Sequence, residues 1–301
     1  MRRIDERDMA IGPADIVAFM NVRNEALRLP QVLDYHRGLG VDRFFVVDNG
    51  STDGSLEVLL GAWDAHVFAT DESYAASNYG LDWINPLLAQ HAVGHWQLTI
   101  DADELLVYPG CEKVDLHGLT ETLDAAGDEA VATFLLDMYS DKPIAETAYS
   151  PGLSLIEACP FFDGNSYDVA SLDATHPVPT LGGPRTRVFW ARSRSERPPP
   201  YLAKLPLARW REARAYGAST HVLPGASVSE MTGALLHFKF LDDFPARAAE
   251  EAQRGEHWQV GAQYNVYDSL LKEEPGLSLF YEGSVRYRDS GQLVEMGLIR
   301  E

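Results

Sequence analysis

Apolar and polar positions follow two alternating patterns over the first hundred residues. Short, continuous apolar runs at 15–22, 43–47, 66–69 and 96–100 are too brief for helices and predict buried strands. Between them, the segments 29–39, 55–62 and 73–88 carry apolar residues at helical spacing or open with helix-capping residues. The pattern therefore predicts an α/β fold with a doubly wound, mostly parallel sheet.

The second half of the chain is less regular. It predicts a helix at 116–126, a strand at 130–136, a strand at 233–240, and helices at 243–254 and 260–272. Residues 142–200 are rich in Pro, Gly, Ser and aromatic side chains. Because structureless loops beyond about 12–15 residues are uncommon in compact domains, we expect this stretch to shape a variable substrate pocket. Within it, a Gly-Gly-Pro turn at 182–184 predicts a following strand with Arg185 and Arg187 on one face.

Polar residues stand where the predicted strands end. Asn24 and Glu25, Asp48, and Asp101 with Asp103 all fall at carboxyl ends, where doubly wound sheets bind ligands. Side chains alternate along a strand, so Asp101 and Asp103 are expected on one side. Two such carboxylates repel each other unless a cation bridges them, and a divalent ion with oxygen ligands is the usual bridge. The sequence therefore predicts a metal site at this edge.

Plainer interpretations exist for each of these residues. An exposed strand-to-loop turn would also place Asp101 and Asp103 together at the surface. Asp48 precedes Asn-Gly, so its side chain could merely cap that turn, and Asn24 could be the N-cap of the next helix. His237, on an apolar strand, could be a satisfied core histidine.

Composition narrows the possible partners. The 301 residues include 25 Lys plus Arg and 45 Asp plus Glu, a net charge of −20, which argues against a generic nucleic-acid or anionic-membrane surface. The two cysteines, Cys111 and Cys159, form no CxxC motif and fit a reducing compartment. Residues 1–8 lack the apolar region of a secretory signal, and no apolar run reaches the roughly 18–20 residues of a membrane span. We expect a cytoplasmic protein with at most peripheral membrane association.

Three motifs together resemble a known family. Met-Asn-Val-Arg-Asn-Glu-Ala at 20–26, Val-Val-Asp-Asn-Gly-Ser-Thr-Asp-Gly at 46–54 and Asp-Ala-Asp-Glu at 101–104 are similar to the GT-A glycosyltransferases of family 2. The likeness is to the bacterial branch with an Asp-x-Asp-Glu motif and a C-terminal His-Phe/Tyr-Lys strand, here 237–239, a branch also similar to family 92. The resemblance implies a GT-A, Rossmann-like domain over 1–301, with a nucleotide-sugar half at about 14–110, an acceptor half at about 111–275 and a tail at about 276–301.

The resemblance also implies a donor and a cation. The donor would be a nucleotide-diphosphate sugar, with UDP favoured, bound with Mn²⁺ or Mg²⁺. Asp103 would be the direct metal ligand, Asp101 would lie near the ribose and the metal, and His237 would approach the metal and diphosphate.

Further roles follow from the same resemblance. Asn24 and Glu25 would line the nucleoside pocket, Asp48 would contact the base or ribose, and Lys239 would lie near the diphosphate. Apart from the resemblance, the position of Arg185 and Arg187 after the Gly-Gly-Pro turn predicts contact with phosphate or acceptor, although surface ion pairs are an equally good interpretation in an acidic protein. His221 is a weaker candidate.

The implied reaction is inverting transfer of a sugar to a hydroxyl of a glycan or lipid-linked acceptor, in bacterial surface glycan or polysaccharide synthesis. It needs a general base. We favour Asp137 or Asp141, because the end of a core strand holds a side chain rigidly. Further acidic residues in the irregular region stay open as alternatives: Glu157, Asp163, Asp168 and Asp173.

Two other functions stay open. A non-catalytic nucleotide- or carbohydrate-binding relative would keep the pocket without the reaction. A sugar-nucleotide pyrophosphorylase would need a glycine-rich phosphate loop, and residues 21–30 contain no glycine, which disfavours it.

Overall fold

The structure of the chain, a computed structural model, describes residues 1–171, 177–217, 220–221 and 223–301. In chain order its strands are β1 Arg2–Arg3, β2 Val17–Val22, β3 Arg43–Asp48, β4 Ala65–Ala69, β5 Trp96–Thr99, β6 Glu104–Val107, β7 Ala130–Asp137, β8 Phe161–Asp163, β9 Tyr167–Ser171, β10 Pro177–Gly182, β11 Ala203–Arg209, β12 Val228–His237 and β13 Ser284–Arg286.

The helices are α1 Leu29–Gly38, α2 Ser55–Gly61, α3 Leu81–His91, α4 Leu116–Ala126, α5 Leu155–Ala158, α6 Phe244–Arg254, α7 Trp258–Glu273 and α8 Ser290–Glu295. A 3₁₀ turn at Ile144–Glu146 and a π-helical segment at Arg185–Trp190 complete the regular structure. Among the described residues, no helix has both the length and the apolar character needed to cross a bilayer.

One large sheet organises the described part of the chain. Its nine strands lie in the order β1-β4-β3-β2-β5-β11-β7-β12-β6. Strands β2, β3, β4, β5, β7 and β12 run in one direction, and β1, β6 and β11 run against them. The predicted α/β fold with a Rossmann-like, mostly parallel sheet is therefore confirmed.

Both faces of this sheet are covered, as a doubly wound fold requires. Alternate residues of β2 point to opposite faces, so Ala18 belongs to the buried cluster that includes residues of α1, α2 and α4, whereas Phe19 belongs to the cluster that includes residues of α3. Phe19 stacks on Phe45 of β3 with ring centroids 5.1 Å apart. A separate apolar cluster joins α6 and α7 to the π-helical segment. The helical layers leave the carboxyl edge of the sheet for the loops.

Strand direction brings distant residues to that one edge. The parallel strands β2, β3, β5, β7 and β12 end there, and the antiparallel strands β6 and β11 begin there. Residue Asp137 ends β7, His237 ends β12, and Glu104 begins β6. The sheet topology thus gathers the sequence motifs into one region.

Three local predictions were wrong. The predicted strand after Pro184 is π-helical, since Pro184 enters with helical backbone angles (φ −61, ψ −26). The predicted helix at 73–88 begins only at Leu81, because Asn78, Tyr79 and Gly80 all have positive φ angles (50, 56 and 81) and break it. Gly80 is required there, since an added Cβ would lie 2.2 Å from the Asn21 side-chain nitrogen.

The third correction concerns the acidic motif. Asp101 and Asp103 lie in the turn between β5 and β6, not on a strand. Alternation along a strand therefore does not set their relation, and the two side chains have different partners.

The C-terminal residues pack against the rest of the chain. Strand β13 pairs with β8, and Leu293 of α8 and Ile299 are buried in the main core. The Ser290 hydroxyl donates a hydrogen bond to Glu112 over 2.6 Å and accepts one from the Gly110 amide over 3.0 Å. These contacts fix the segment over the β6–α4 connection.

Candidate functional site

A cleft of about 770 Å³ opens at the carboxyl edge of the sheet. Residues from β2, from the β5–β6 turn, from β11 and β12, and from α6 and α7 line it. Its charged lining includes Asp101, Asp103, Lys204, His237, Lys239 and Arg247. Acidic and basic groups therefore meet in one concave site, as in a pocket built for a charged ligand.

The floor of the cleft is the turn of residues 101–104, here termed the acidic turn. The Lys204 ammonium donates to Asp101 Oδ2 over 2.7 Å and to Glu104 Oε1 over 2.5 Å. Glu104 Oε2 accepts a hydrogen bond from the Asp101 backbone amide over 3.0 Å. Burial raises the pKa of Glu104 to about 7, although the Lys204 charge opposes that rise.

Asp103 faces the opposite way, toward β12. Its Oδ2 lies 3.2 Å from His237 Nε2 and 3.9 Å from the Lys239 ammonium. Burial opposes ionisation of Asp103, but the His237 and Lys239 charges hold its pKa well below the usual value. Asp103 is therefore an anion at the cleft floor.

His237 is held from its other side by a buried ion pair. Its Nδ1 lies 2.6 Å from Asp137 Oδ1, and Arg185 donates two hydrogen bonds to the Asp137 carboxylate over 2.8 and 2.6 Å. Burial acts against the imidazolium, yet Asp103 and Asp137 raise the pKa of His237 overall. The result is a connected chain, Arg185–Asp137–His237–Asp103.

Asp137 was one predicted general base. It is only 1% exposed, its oxygens are engaged by Arg185 and His237, and it does not line the cleft. The geometry is that of a group that orients His237. The other predicted base, Asp141, is exposed, accepts a hydrogen bond from Ser140 over 3.3 Å, and also lies outside the lining.

The remaining base candidates are distributed elsewhere. Asp163 is buried in an ion pair with Arg187, and Glu157 and Asp168 are exposed residues that do not line the cleft. Asp173 lies outside the described residues.

The donor set fits a divalent cation. One ligand atom each from Asp103, Glu104 and His237 lies within 4.8 Å of the others. Two carboxylates and an imidazole suit Mn²⁺, and the carboxylates suit Mg²⁺. The predicted set was Asp101, Asp103 and His237. The structure brings Asp103 and His237 together with Glu104, and both Glu104 and Asp101 also accept a hydrogen bond from Lys204.

Glu25 also lines the cleft. Arg247 of α6 donates two hydrogen bonds to its carboxylate, and Arg28 lies 3.6 Å away. Arg28 in turn forms a two-pronged ion pair with Asp243 over 2.7 and 2.6 Å. Burial raises the pKa of Glu25 against these positive charges. The first βα loop is thereby joined to α6.

Asn24 and Asp48 stabilise loops and do not line the cleft. Asn24 has a φ of 52 and its side-chain oxygen accepts from the Thr52 amide over 2.8 Å. Arg28, not Asn24, precedes the first turn of α1, so the N-cap interpretation of Asn24 was wrong. Asp48 Oδ2 accepts from the Ser51 amide over 3.2 Å, so Asp48 does cap its turn. The nucleoside roles of both residues stay predictions.

The other predicted cations differ in position. Lys239 lines the cleft and its ammonium lies 3.4 Å from the Tyr264 hydroxyl. Arg187 points away, pairs with Asp163 and lies 3.7 Å from the Tyr281 ring centroid. His221 lines the cleft, and burial lowers its pKa to about 4.

Sequence reasoning missed Lys204 and Arg247 as site residues. Lys204 stands inside the apolar run Leu-Ala-Lys-Leu-Pro-Leu-Ala at 202–208, and a lysine in such a run signals a buried partner. Arg247 carries no comparable signal, because basic residues on the exposed faces of helices are common.

Comparisons with protein-family models and with curated proteins give no match. Matching solved structures include a 4-diphosphocytidyl-2C-methyl-D-erythritol synthase, at 14% identity and a TM-score of 0.28, covering 64% of this chain and 74% of that one. HddC from Yersinia pseudotuberculosis matches at 8% identity and a TM-score of 0.28, covering 77% of this chain and 80% of that one. Likenesses this distant add nothing to what the sheet topology shows.

Proposed function

We propose that this protein is a metal-dependent GT-A glycosyltransferase that moves a sugar from a nucleotide-diphosphate donor, UDP-linked by preference, to a hydroxyl acceptor. The observation that carries the proposal is the convergence of Asp103, Glu104 and His237 within 4.8 Å at the floor of a cleft at the carboxyl edge of the sheet. The family resemblance of the three sequence motifs supports the same function.

The electrostatics of the cleft suit a diphosphate. A nucleotide diphosphate is too negative to bind beside three carboxylates unless cations offset the charge. Asp103, His237 and Glu104 would hold a divalent ion, which stabilises negative charge on a departing diphosphate when bound. Lys239 and Arg247 line the same cleft and add positive charge to it.

The buried chain behind His237 prepares this site. Asp137 accepts a hydrogen bond from Nδ1–H, so Nε2, which lies beside Asp103, would be the nitrogen that holds the cation after losing its proton. Arg185 keeps Asp137 ionised, since its guanidinium offsets the cost of burying that carboxylate. Asp137 and Arg185 would therefore act by orienting the ligand atom of His237.

The acceptor side of the proposal rests on the resemblance. We place the acceptor among glycans or lipid-linked sugars of bacterial surface polysaccharide synthesis, with inversion at the anomeric carbon. The general base stays a prediction, and the structure brings neither Asp137 nor Asp141 to the cleft lining.

A donor panel tests the proposal. The protein is incubated with UDP-glucose, UDP-galactose, UDP-N-acetylglucosamine and GDP-mannose, with Mn²⁺ or with EDTA, and nucleoside diphosphate release is measured. We expect slow release from one donor, dependent on metal and lost in Asp103→Asn. Lys272→Met, which removes an exposed lysine paired with Asp268, is the matched control and should not change the rate.

The two alternative functions predict different outcomes in this assay. A pyrophosphorylase would release a nucleoside triphosphate, and only when pyrophosphate is added. A non-catalytic relative would bind a donor in a calorimeter without turning it over.

A further inference from the structure

The acidic turn concentrates three carboxylates within four residues, and each is matched by a cation. Asp103 faces His237 and Lys239, whereas Asp101 and Glu104 share Lys204. Like charges this close raise the free energy of the folded turn unless counter-charges stand between them. Lys204 is therefore the cation on which two of the three carboxylates depend.

The fold delivers Lys204 to this position by an inserted strand. β11 runs antiparallel between β5 and β7, so its first residues lie at the carboxyl edge of its neighbours. The β11–β7 register shifts between Lys204 and Leu207, around Pro206. The Lys204 side chain is 5% exposed and lines the cleft beside the acidic turn.

Lys204, Asp101 and Glu104 form a closed ring of hydrogen bonds. Lys204 bonds to Asp101 Oδ2 and Glu104 Oε1, and the Asp101 amide closes the ring on Glu104 Oε2. The Asp101 side chain is 61% exposed, so without Lys204 it would be free to turn among its rotamers. The ring holds that carboxylate in one orientation in the cleft.

We propose that Lys204 is a positioning residue that fixes Asp101 toward the donor through the ring of hydrogen bonds that Lys204, Asp101 and Glu104 form. This inference rests on the proposed function, because it assigns the exposed Asp101 carboxylate to donor binding. The competing explanation is that Lys204 only neutralises buried Glu104, with no effect on Asp101.

Variants of Glu104 separate the two explanations. Lys204→Met alone leaves Glu104 buried without its partner and is expected to unfold easily. Lys204→Met combined with Glu104→Gln removes both charges, so its thermal stability should return toward that of Glu104→Gln alone. Affinity for UDP in the presence of Mn²⁺ is then measured by calorimetry in these two variants, in Asp101→Ala combined with Glu104→Gln, and in the triple variant with all three changes. Glu104→Gln is the common reference, so the loss of a proposed metal ligand is the same in every protein compared.

If Lys204 positions Asp101, the Lys204→Met/Glu104→Gln protein binds UDP with Mn²⁺ about 10–100-fold more weakly than Glu104→Gln, the usual cost of losing a supporting contact. Asp101→Ala/Glu104→Gln shows a similar loss, and the triple variant shows no further loss, because both changes remove one interaction. Lys272→Met should bind like the wild type, since it removes an equal charge far from the turn.

Two results overturn the inference while leaving the proposed function intact. One is affinity in Lys204→Met/Glu104→Gln within twofold of Glu104→Gln. The other is a triple variant whose losses multiply, which would mean that Lys204 and Asp101 act independently. A wild-type protein that binds neither UDP nor GDP with Mn²⁺ instead overturns the proposed function, and the positioning role with it.

Discussion

Two arginines of one short segment form nearly identical ion pairs in different regions of the molecule. Arg185 donates to both oxygens of Asp137 over 2.8 and 2.6 Å, and Arg187 donates to both oxygens of Asp163 over 2.8 Å each. Both carboxylates are buried, at 1% and 0% exposure. The chemistry of the two pairs is the same.

The third contact separates them. The Arg185–Asp137 pair touches His237, with Asp137 Oδ1 at 2.6 Å and an Arg185 nitrogen at 2.9 Å from its Nδ1, and both Arg185 and His237 line the cleft. The Arg187–Asp163 pair instead touches the Leu279 carbonyl and the Tyr281 ring, in the C-terminal part of the chain. The Arg185 pair contacts a residue of the cleft, so we expect it to affect ligand binding as well as stability. Among the described residues, the Arg187 pair has no such contact, so we expect it to affect only stability.

The largest expected effect is that of Arg185→Met. It leaves Asp137 buried and unpaired, which costs about 3–5 kcal/mol in the free energy of unfolding. It also releases His237, so affinity for Mn²⁺ should fall in whatever fraction stays folded. Urea unfolding and a Mn²⁺ titration measure the two effects. An Arg185→Met protein with wild-type stability and Mn²⁺ affinity would contradict the view that the Arg185 pair, unlike the Arg187 pair, supports the site.

Asp137→Asn tests the contact to His237 with less damage to the fold. The amide keeps the shape of the side chain but holds the imidazole less well, so Mn²⁺ affinity should fall about 10–100-fold. Calorimetric titration with Mn²⁺ measures the change. Equal affinity in Asp137→Asn and the wild type would show that Asp137 is as remote from the site as Asp163.

The dependence of stability and of Mn²⁺ affinity on pH should include a contribution from His237. The folded pKa of His237 is raised, since Asp103 and Asp137 outweigh burial, so its stabilising contribution to the metal-free protein is present below the unfolded value of about 6.5. That contribution is lost as the pH rises through the folded pKa. Mn²⁺ competes with the Nε2 proton, so its affinity should instead rise, by up to about tenfold per pH unit below that pKa.

Urea unfolding without metal and Mn²⁺ titration, each at several pH values, measure these opposite trends. His237→Gln should reduce the change with pH both of the free energy of unfolding and of Mn²⁺ affinity. Trends of the same size in His237→Gln would assign them to other groups.

The smallest effect on ligand binding is expected for Asp163→Asn. It weakens the Arg187 pair and should lower the free energy of unfolding by about 1–3 kcal/mol. Affinity for Mn²⁺ and for UDP should stay at the wild-type value, because neither residue lines the cleft. Loss of nucleotide affinity in a folded Asp163→Asn protein would contradict the comparison.

The sequence predicted what depends on local pattern. Continuous apolar runs such as 43–47 identified the parallel strands, and an apolar strand ending in acidic residues identified the edge where Asp103 lies. The joining of His237 to Asp103 was predicted through the family resemblance, and the structure brings these residues together.

Which residue each charged side chain pairs with could not be predicted from local pattern. That Arg185 and Arg187 point to different regions follows from a helical backbone where the Gly-Gly-Pro turn indicated a strand. That Lys204 bonds to the acidic turn follows from the insertion of β11 between β5 and β7, a long-range strand order that no local pattern contains. Nor does a local pattern show that Asp137 contacts His237 and does not line the cleft.

The most direct test of the proposed function is whether nucleotide binding depends on the metal and on Asp103. UDP is titrated calorimetrically into the wild type, Asp103→Asn and Asp163→Asn, each with Mn²⁺ and with EDTA. We expect tight binding with Mn²⁺ in the wild type and Asp163→Asn, and weak binding with EDTA or in Asp103→Asn under either condition. UDP binding that is equally strong with EDTA and in Asp103→Asn would contradict the proposed function.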